Sequence, residues 1–223
     1  MNKEEKIIRR KNKEPKTSIL YRIGQILFYL PLKLIFPIKI YGKKNLGNRR
    51  LIITMNHKSG LDPVLMAHLF RPSMYFMAKM EFTKNKFMSW LLSNLGCIFV
   101  HRGEPDFSAT KKVMNVLEDD KIFAIFPEGT RNKVDDQSIR KFRTGAAYYA
   151  IKQEAPILPM VIDKKIKAFH KNAIIVGDEF ELSEYYGQTL TKELLTEATE
   201  IIYKKTLELQ ERLNIIKEKK LKK

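Results

Sequence analysis

Short apolar runs of strand length alternate along the chain with stretches of helical periodicity. The predicted strands are rich in β-branched and aromatic residues and cover Leu51–Met55, Met74–Ala78, Ile98–His101, Ile122–Phe126, Ile157–Ile162 and Ala173–Val176. The predicted helices between them cover Val64–Phe70, Lys84–Leu95, Phe107–Leu117 and Thr144–Gln153. This alternation predicts an α/β domain with a mixed, mostly parallel sheet flanked by helices.

Two segments outside this alternation have patterns of their own. Ile19–Ile40 is apolar and aromatic, but three basic residues and two prolines interrupt it. Its longest charge-free run, Ile23–Leu32, is well short of the roughly 20 residues that span a bilayer. We therefore expect an interfacial segment that lies in the plane of a membrane; the alternative is a helix packed on the domain core. From Thr191 onward, apolar residues at helical spacing predict a long amphipathic helix.

The expected organisation has three parts. Residues 1–40 form a basic arm and a membrane-associating apolar segment, residues 41–190 form the folded domain, and residues 191–223 form the C-terminal amphipathic helix and a basic tail. The net charge of +17 is concentrated in part at the two ends, but the middle of the chain is also basic. Nucleic acid, an anionic membrane and a phosphorylated substrate are all compatible with this charge.

Cysteine usage limits the chemistry. Cys97 is the single cysteine, so an internal disulfide is excluded and a reducing, cytosolic setting fits. It lies in an apolar run, which indicates buried packing rather than a reactive thiol. No cluster in the sequence resembles a metal site.

The segment Leu51–Asp62 places polar residues between a strand and a helix, where α/β proteins bind their ligands. His57 precedes Asp62 by five residues. A carboxylate beside an imidazole fixes its tautomer and makes the other ring nitrogen a usable general base. The alternative is structural: Asp62 before Pro63 is a good helix N-cap, and a loop histidine often satisfies only backbone groups. This segment alone is compatible with both interpretations.

A second polar turn follows the strand Ile122–Phe126 and reads Pro-Glu-Gly-Thr-Arg. Gly129 lets the backbone approach a ligand closely, Thr130 offers a hydroxyl, and the planar guanidinium of Arg131 suits a phosphate. The alternative is an ordinary turn with a surface pair of Arg131 and Glu128.

Two further basic residues, Lys79 and Arg102, also follow predicted strands. Each alone would be an ordinary solvated charge. Together with His57 and Arg131 they lie at the strand ends of one predicted sheet, which favours a common basic site.

In chain order, these segments resemble the glycerolipid acyltransferase family, whose best-known members are 1-acylglycerol-3-phosphate acyltransferases. The resemblance covers about Tyr41–Ile162 and rests on four blocks. These are N-H-x4-D with Asn56, His57 and Asp62, the block from Lys79 through Gly96 and Ile98 to Arg102, F-P-E-G-T-R at Phe126–Arg131, and the proline-flanked strand Pro156–Pro159.

The chain departs from the family pattern at three positions. Asn132 stands where the family usually has Ser, Ala155 stands where Val is common, and Arg143 replaces the lysine of an F-K-x-G element while keeping its charge. The departures lie outside the residues to which the resemblance assigns chemistry.

The resemblance implies transfer of a fatty acyl group from an acyl thioester to the sn-2 hydroxyl of 1-acyl-sn-glycerol-3-phosphate, forming phosphatidate in phospholipid biosynthesis. His57 is the implied general base and Asp62 orients it. The implied glycerol-phosphate site consists of Glu128, Gly129, Thr130 and Arg131, with Lys79 and Arg102 as weaker candidates. No acyl-enzyme is required, and Ser59 lacks the G-x-S-x-G context of a nucleophile.

Two alternatives stay open. A neighbouring one is acylation of glycerol-3-phosphate or of another lysophospholipid. One from a different class is a non-enzymatic basic protein that binds membranes or nucleic acid, although few aromatic residues accompany the basic ones, which speaks against base stacking.

The expected partners are a phospholipid membrane and an acyl donor, without nucleic acid. Acyl-CoA or acyl-carrier protein is the co-substrate, and neither a cofactor nor a metal is expected. The expected location is the cytoplasmic face of the cell membrane, as a peripheral or monotopic protein.

Overall fold

The computed structural model describes residues 19–70, 72–101, 103, 106–134 and 137–221. The helices in this part of the chain are α1 Ile19–Leu27, α2 Tyr29–Ile35, α3 Asp62–Leu69, α4 Lys86–Asn94, α5 Phe107–Glu118, α6 Gly145–Lys152 and α7 Lys192–Leu221. The strands are β1 Ile38–Tyr41, β2 Leu51–Met55, β3 Met74–Lys79, β4 Cys97–Val100, β5 Ile122–Ile125, β6 Ile157–Ile162 and β7 Asn172–Val176. Short 3-10 helices cover Met80–Lys84 and Ser183–Tyr185.

The strands form one sheet in the order β1-β7-β6-β2-β5-β3-β4. Every neighbouring pair is parallel except β6 and β7, which pair antiparallel. Five parallel strands therefore form most of the sheet, and β7 and β1 run in the opposite direction at one edge. This confirms the predicted mixed, mostly parallel sheet.

Both faces of the central sheet are covered. All five residues of β2 are buried, and its apolar residues are divided between two apolar layers. Ile52 packs in the layer that contains α5, α6 and α7, whereas Leu51 and Ile53 pack in the layer that contains α3. Burial on both faces explains why β2 and β6 read as continuous apolar runs rather than as alternating ones.

The predicted elements are found close to their expected bounds. β2 and β6 coincide with the predictions, and the other predicted strands differ by one residue at one or both ends. The long C-terminal helix is confirmed as α7. Burial raises the pKa of Cys97 to about 12, which agrees with packing rather than thiol reactivity. The basic arm at residues 1–16 lies outside the described residues, and the domain bounds at residues 40 and 190 stay predictions.

The apolar segment Ile19–Ile40 divides into α1, α2 and the first three residues of β1, a strand that the sequence pattern did not predict. The structure agrees with the alternative interpretation for α1, and the interfacial interpretation stays a prediction. Tyr21 is buried and its hydroxyl accepts from the backbone N–H of Met74, so α1 is packed on the domain. Ile26 and Leu34 are exposed, so the outer side of the two helices is apolar and uncovered. Within the described ranges, no helix combines the length and the apolar character needed to cross a membrane.

The register brings the polar turns together. Thr54 of β2 pairs with Ile125 of β5, so the loops that follow these two neighbouring strands leave the sheet side by side. Lys79 ends β3, on the other side of β5. The parallel strands thus bring the loop with His57, the turn Glu128–Arg131 and Lys79 to the same end of the sheet, beyond the carboxyl ends of these strands.

Candidate active site

His57 and Asp62 are in direct contact beyond the carboxyl end of β2. The Nδ1 atom of His57 lies 2.8 Å from Oδ2 of Asp62, and both residues are buried, with His57 only 8% exposed. The same carboxylate oxygen accepts the backbone N–H groups of Lys58 and Ser59, each at 2.7 Å. Because a carboxylate oxygen next to Nδ1 can only accept, the imidazole proton lies on Nδ1 and Nε2 is the basic nitrogen.

The structural alternative for Asp62 is corrected in one respect. Asp62 is the first residue of α3, and the N-cap position belongs to Leu61, which makes no side-chain cap hydrogen bond. The carboxylate of Asp62 turns back to the loop instead and closes it around His57. A single side chain therefore shapes the loop and contacts the imidazole.

Glu128 holds the backbone of the same histidine. Its Oε1 accepts the N–H of His57 at 2.7 Å, and its Oε2 accepts the N–H of Arg140 at 3.1 Å. Burial raises the pKa of the Glu128 carboxyl, and these two backbone donors offset part of that rise. The carboxylate thus bridges the loops after β2 and β5, and the headgroup contact implied by the resemblance stays a prediction.

Two further contacts fix the loop between β2 and α3, residues 56–61, which we call the histidine loop. The ring of Phe126 stacks on the imidazole with 4.2 Å between the ring centroids, and the carbonyl of His57 accepts the N–H of Asn132 at 2.7 Å. Asn56 is fully buried and pairs with both backbone groups of Ile162, donating to the carbonyl at 2.9 Å and accepting the N–H at 2.7 Å. The end of β2 is therefore joined to β6 one residue before the histidine.

His57 lines a cavity of about 270 Å³. The apolar part of its wall includes Met77, Val100 and Ile125, and its polar part includes His101 and Arg143. A cavity of this composition, with a potential general base and a guanidinium among its lining residues, can accept an amphipathic substrate that has an anionic group.

Gly129 in the second polar turn has a backbone conformation that favours glycine, and the side chain of Arg143 packs against it. Gly129 has a φ of +69°, and a Cβ built there would lie only 2.5 Å from Nε of Arg143. The side chain of Arg143 thus crosses the backbone at Gly129 and reaches the cavity of His57.

Arg131 is not among the residues that line the cavity of His57. It lines a neighbouring cavity of about 440 Å³ together with Thr130, Lys133 and Arg140. Its guanidinium is beside the histidine loop, because a Cβ built on Gly60 would lie 3.4 Å from Nη1. The two arginines therefore flank the histidine loop from different cavities.

The structure thus brings together His57, Asp62, Glu128 and Gly129, with Thr130 and Arg131 next to them. Lys79 is exposed at the end of β3 and lines neither cavity, and Arg102 lies outside the described residues. Sequence reasoning did not assign a role to Arg143 or His101. The positive charge in the F-R-T-G element was the available signal for Arg143.

The chain is also similar in sequence to known proteins. The acyltransferase family model matches residues 37–163, more than half of the chain. The 1-acyl-sn-glycerol-3-phosphate acyltransferase of Saccharomyces cerevisiae is 28% identical over 185 residues, 78% of this chain and 60% of that protein. The protein of the same name from Borreliella burgdorferi is 30% identical, over 68% of this chain and 66% of that protein. The one from Bacillus subtilis is 26% identical, over 79% of this chain and 90% of that protein.

The fold has a solved counterpart. The crystal structure of the 1-acyl-sn-glycerophosphate (LPA) acyltransferase PlsC from Thermotoga maritima superposes with a TM-score of 0.61 at 22% identity, covering 94% of this chain and 84% of that one. The chain spans 60% of the yeast relative and 66% of the Borreliella relative, in each case less than two thirds.

Proposed function

The chain belongs to the acyltransferase family, and from that premise we propose that it acylates the sn-2 hydroxyl of 1-acyl-sn-glycerol-3-phosphate to give phosphatidate. The observation that carries the proposal is the 2.8 Å contact between His57 and Asp62 beside a cavity that also contains a guanidinium. The names of the yeast, Borreliella and Bacillus relatives support this acceptor.

In the proposed reaction, His57 removes the proton of the acceptor hydroxyl as its oxygen attacks the thioester carbonyl carbon. The new C–O bond forms, the C–S bond breaks, and the thiolate takes the proton back from the imidazolium. Asp62 stabilises the imidazolium and holds the ring in the required tautomer. A positioned general base of this kind contributes about 10²–10⁴ in rate.

The position of the phosphate follows from the acceptor. Its phosphate is on the carbon next to the one that carries the reacting hydroxyl, so it must lie within a few ångströms of the general base. Arg143 is the guanidinium in the wall of the His57 cavity and is therefore our first choice for the phosphate contact. Arg131 is the second choice because it lies beside Gly60, in the histidine loop.

Glu128 has a positioning role in this proposal. Its carboxylate is occupied by the backbone N–H groups of His57 and Arg140, so it holds the base in place. Such support matters because displacement of a catalytic group by about 1 Å can cost a large share of the rate.

The acceptor is a lipid, and α1 and α2 offer an apolar surface toward it. Ile19, Ile26 and Leu34 are among the exposed apolar side chains of this helix pair. We propose that the pair lies in the membrane interface on the cytoplasmic face, so that the lysophospholipid need not leave the bilayer.

The test is acyl transfer by the purified protein in detergent micelles. The acceptors are 1-acylglycerol-3-phosphate, glycerol-3-phosphate and 1-acylglycerophosphocholine, each offered with acyl-CoA and with acyl-carrier protein. We expect phosphatidate from the first acceptor and at least about tenfold less product from the others. Product only from another acceptor would reassign the substrate, and no product from any pair would favour the non-enzymatic alternative.

A further inference from the structure

Helix α4 is apolar but has no buried residue. Five of its nine residues are Phe, Met, Trp or Leu, yet none of the nine is buried in the described structure. Phe87 and Trp90 are 65% and 55% exposed, and Phe82 in the preceding 3-10 helix is 46% exposed. A surface helix of a globular domain normally buries its apolar side against the core, so this exposure requires an explanation.

Two of these aromatic side chains are neighbours on the surface. The rings of Phe87 and Trp90 lie 6.1 Å apart between centroids. Lys84 and Lys86 lie beside them in sequence and are exposed, and Glu81 is the single acidic residue between Lys79 and Asn94. We refer to Phe82, Lys84, Lys86, Phe87 and Trp90 as the α4 surface.

The topology gives the location of α4. The connections β2–α3–β3 and β3–α4–β4 advance in the same direction along the sheet, and parallel crossovers are right-handed in nearly all proteins. The two helices therefore cover the same face of the sheet. α1 is attached to that face as well, because Gln25 donates to the carbonyl of Ala67 in α3.

Most of the exposed large apolar side chains of the described structure are on this face. Besides α1, α2 and the α4 surface, they include Leu61 and Val64 at the start of α3, next to Asp62. The opposite face, covered by α5, α6 and α7, has Phe107 as an exposed aromatic residue at the start of α5. The α4 surface thus lies on the same face of the sheet as the exposed apolar side chains of α1 and α2.

The composition of the α4 surface indicates its partner. Aromatic rings beside lysines are typical of segments that sit at a lipid headgroup region, where the rings insert and the ammonium groups meet anionic lipids. An acidic carrier protein would contact the lysines but would not require three exposed aromatic rings. The observations therefore favour an anionic bilayer.

We propose that the α4 surface is a second membrane contact, separate in sequence from α1 and α2, that inserts Phe87 and Trp90 into the interface of an anionic bilayer. Two contacts on one face prevent the domain from rotating on the membrane and hold the face with α3 toward the lipid. The purpose of this orientation rests on the proposed function, but the contact itself is measured without turnover.

Trp90 is the sole tryptophan of the chain, so its fluorescence reports this contact directly. The probe is the wild-type full chain with vesicles of phosphatidylcholine and phosphatidylglycerol, with and without brominated acyl chains. We expect a blue shift of the emission and quenching by the brominated lipid. If the protein sediments with the vesicles but its emission neither shifts nor is quenched, the proposal is overturned. A shift produced by acyl-carrier protein or by self-association, but not by vesicles, would also overturn it.

Variants provide the second measurement. The double variant Phe87→Ser/Trp90→Ser should bind the same vesicles at least about tenfold more weakly in sedimentation, because two aromatic contacts are lost. Phe107→Ser is the matched control, since Phe107 is 83% exposed on the opposite face. Equal vesicle affinity of the double variant and the control would contradict the proposal. Absence of turnover in the micelle assay would refute the proposed function and leave these binding results unaffected.

Discussion

Replacing Asp62 by Asn tests how the carboxylate supports the base. In Asp62→Asn, the amide oxygen can take the place of Oδ2 and keep the hydrogen bonds from Lys58 and Ser59. The negative charge next to the imidazole is lost. The variant therefore separates the electrostatic role of Asp62 from its role in shaping the loop.

The magnitude follows from the geometry. The contact between His57 and Asp62 is 2.8 Å. For charge centres about 4 Å apart at an effective dielectric constant near 20, the attraction between imidazolium and carboxylate is about 4 kcal/mol. Because about 1.36 kcal/mol corresponds to a tenfold change in rate, kcat should fall by about 10³.

The same variant also loses some stability. In the described part of the chain, Oδ1 of Asp62 has no hydrogen-bond partner, so an amide N–H₂ in its place would be a buried donor without an acceptor. We expect a decrease of about 1–3 kcal/mol in the free energy of unfolding, measured by urea denaturation.

Val116→Ala is the matched control for this loss of stability. Val116 is fully buried in α5, away from the site, and the substitution should cost a similar amount, about 1–3 kcal/mol, with kcat unchanged. Both proteins are assayed with 1-acylglycerol-3-phosphate in micelles. A kcat for Asp62→Asn within about tenfold of wild type would refute the proposed stabilisation of the imidazolium.

Two further variants test the other parts of the site. Arg143→Ala should raise KM for the acceptor by about 10–100-fold, since one charge-assisted hydrogen bond is lost, and should change kcat less. Steady-state kinetics check this, and a larger effect of Arg131→Ala would move the phosphate to the neighbouring cavity. Glu128→Gln should lower stability by about 1–3 kcal/mol, because the amide cannot accept both backbone N–H groups. Burial raises the pKa of Glu128 above its ordinary 4.5, so the folded protein binds this proton more tightly than the unfolded chain. Its contribution to stability is therefore present below that value and lost as the pH rises through the folded pKa. Urea unfolding across this range should show a pH-dependent decrease in wild type that Glu128→Gln lacks, and equal slopes would contradict the assignment.

The sequence predicted the central strands well because burial on both faces makes them unbroken apolar runs. β1 was missed for a physical reason: it is an edge strand with an exposed Lys39, and its partner β7 lies far along the chain. Hydrophobic periodicity reports which residues are buried locally, but it does not report such distant pairings.

The site shows a similar limit. The pairing of His57 with Asp62 could be predicted because the two residues are close in sequence and their chemistry is complementary. Which arginine enters the cavity of His57 depends on how the loop between β5 and α6 folds, and that loop has no periodicity to read. The backbone contacts of Glu128 could not be predicted either, since a carboxylate three residues before an arginine is also typical of a surface ion pair.

The proposed function depends above all on His57 as the general base of an acyl transfer. The most direct measurement is the rate of phosphatidate formation from 1-acylglycerol-3-phosphate by wild type and His57→Ala in the same micelles, with thermal unfolding as the check on folding. We expect a folded variant whose turnover is lower by at least about 10². A folded variant with wild-type turnover would contradict it.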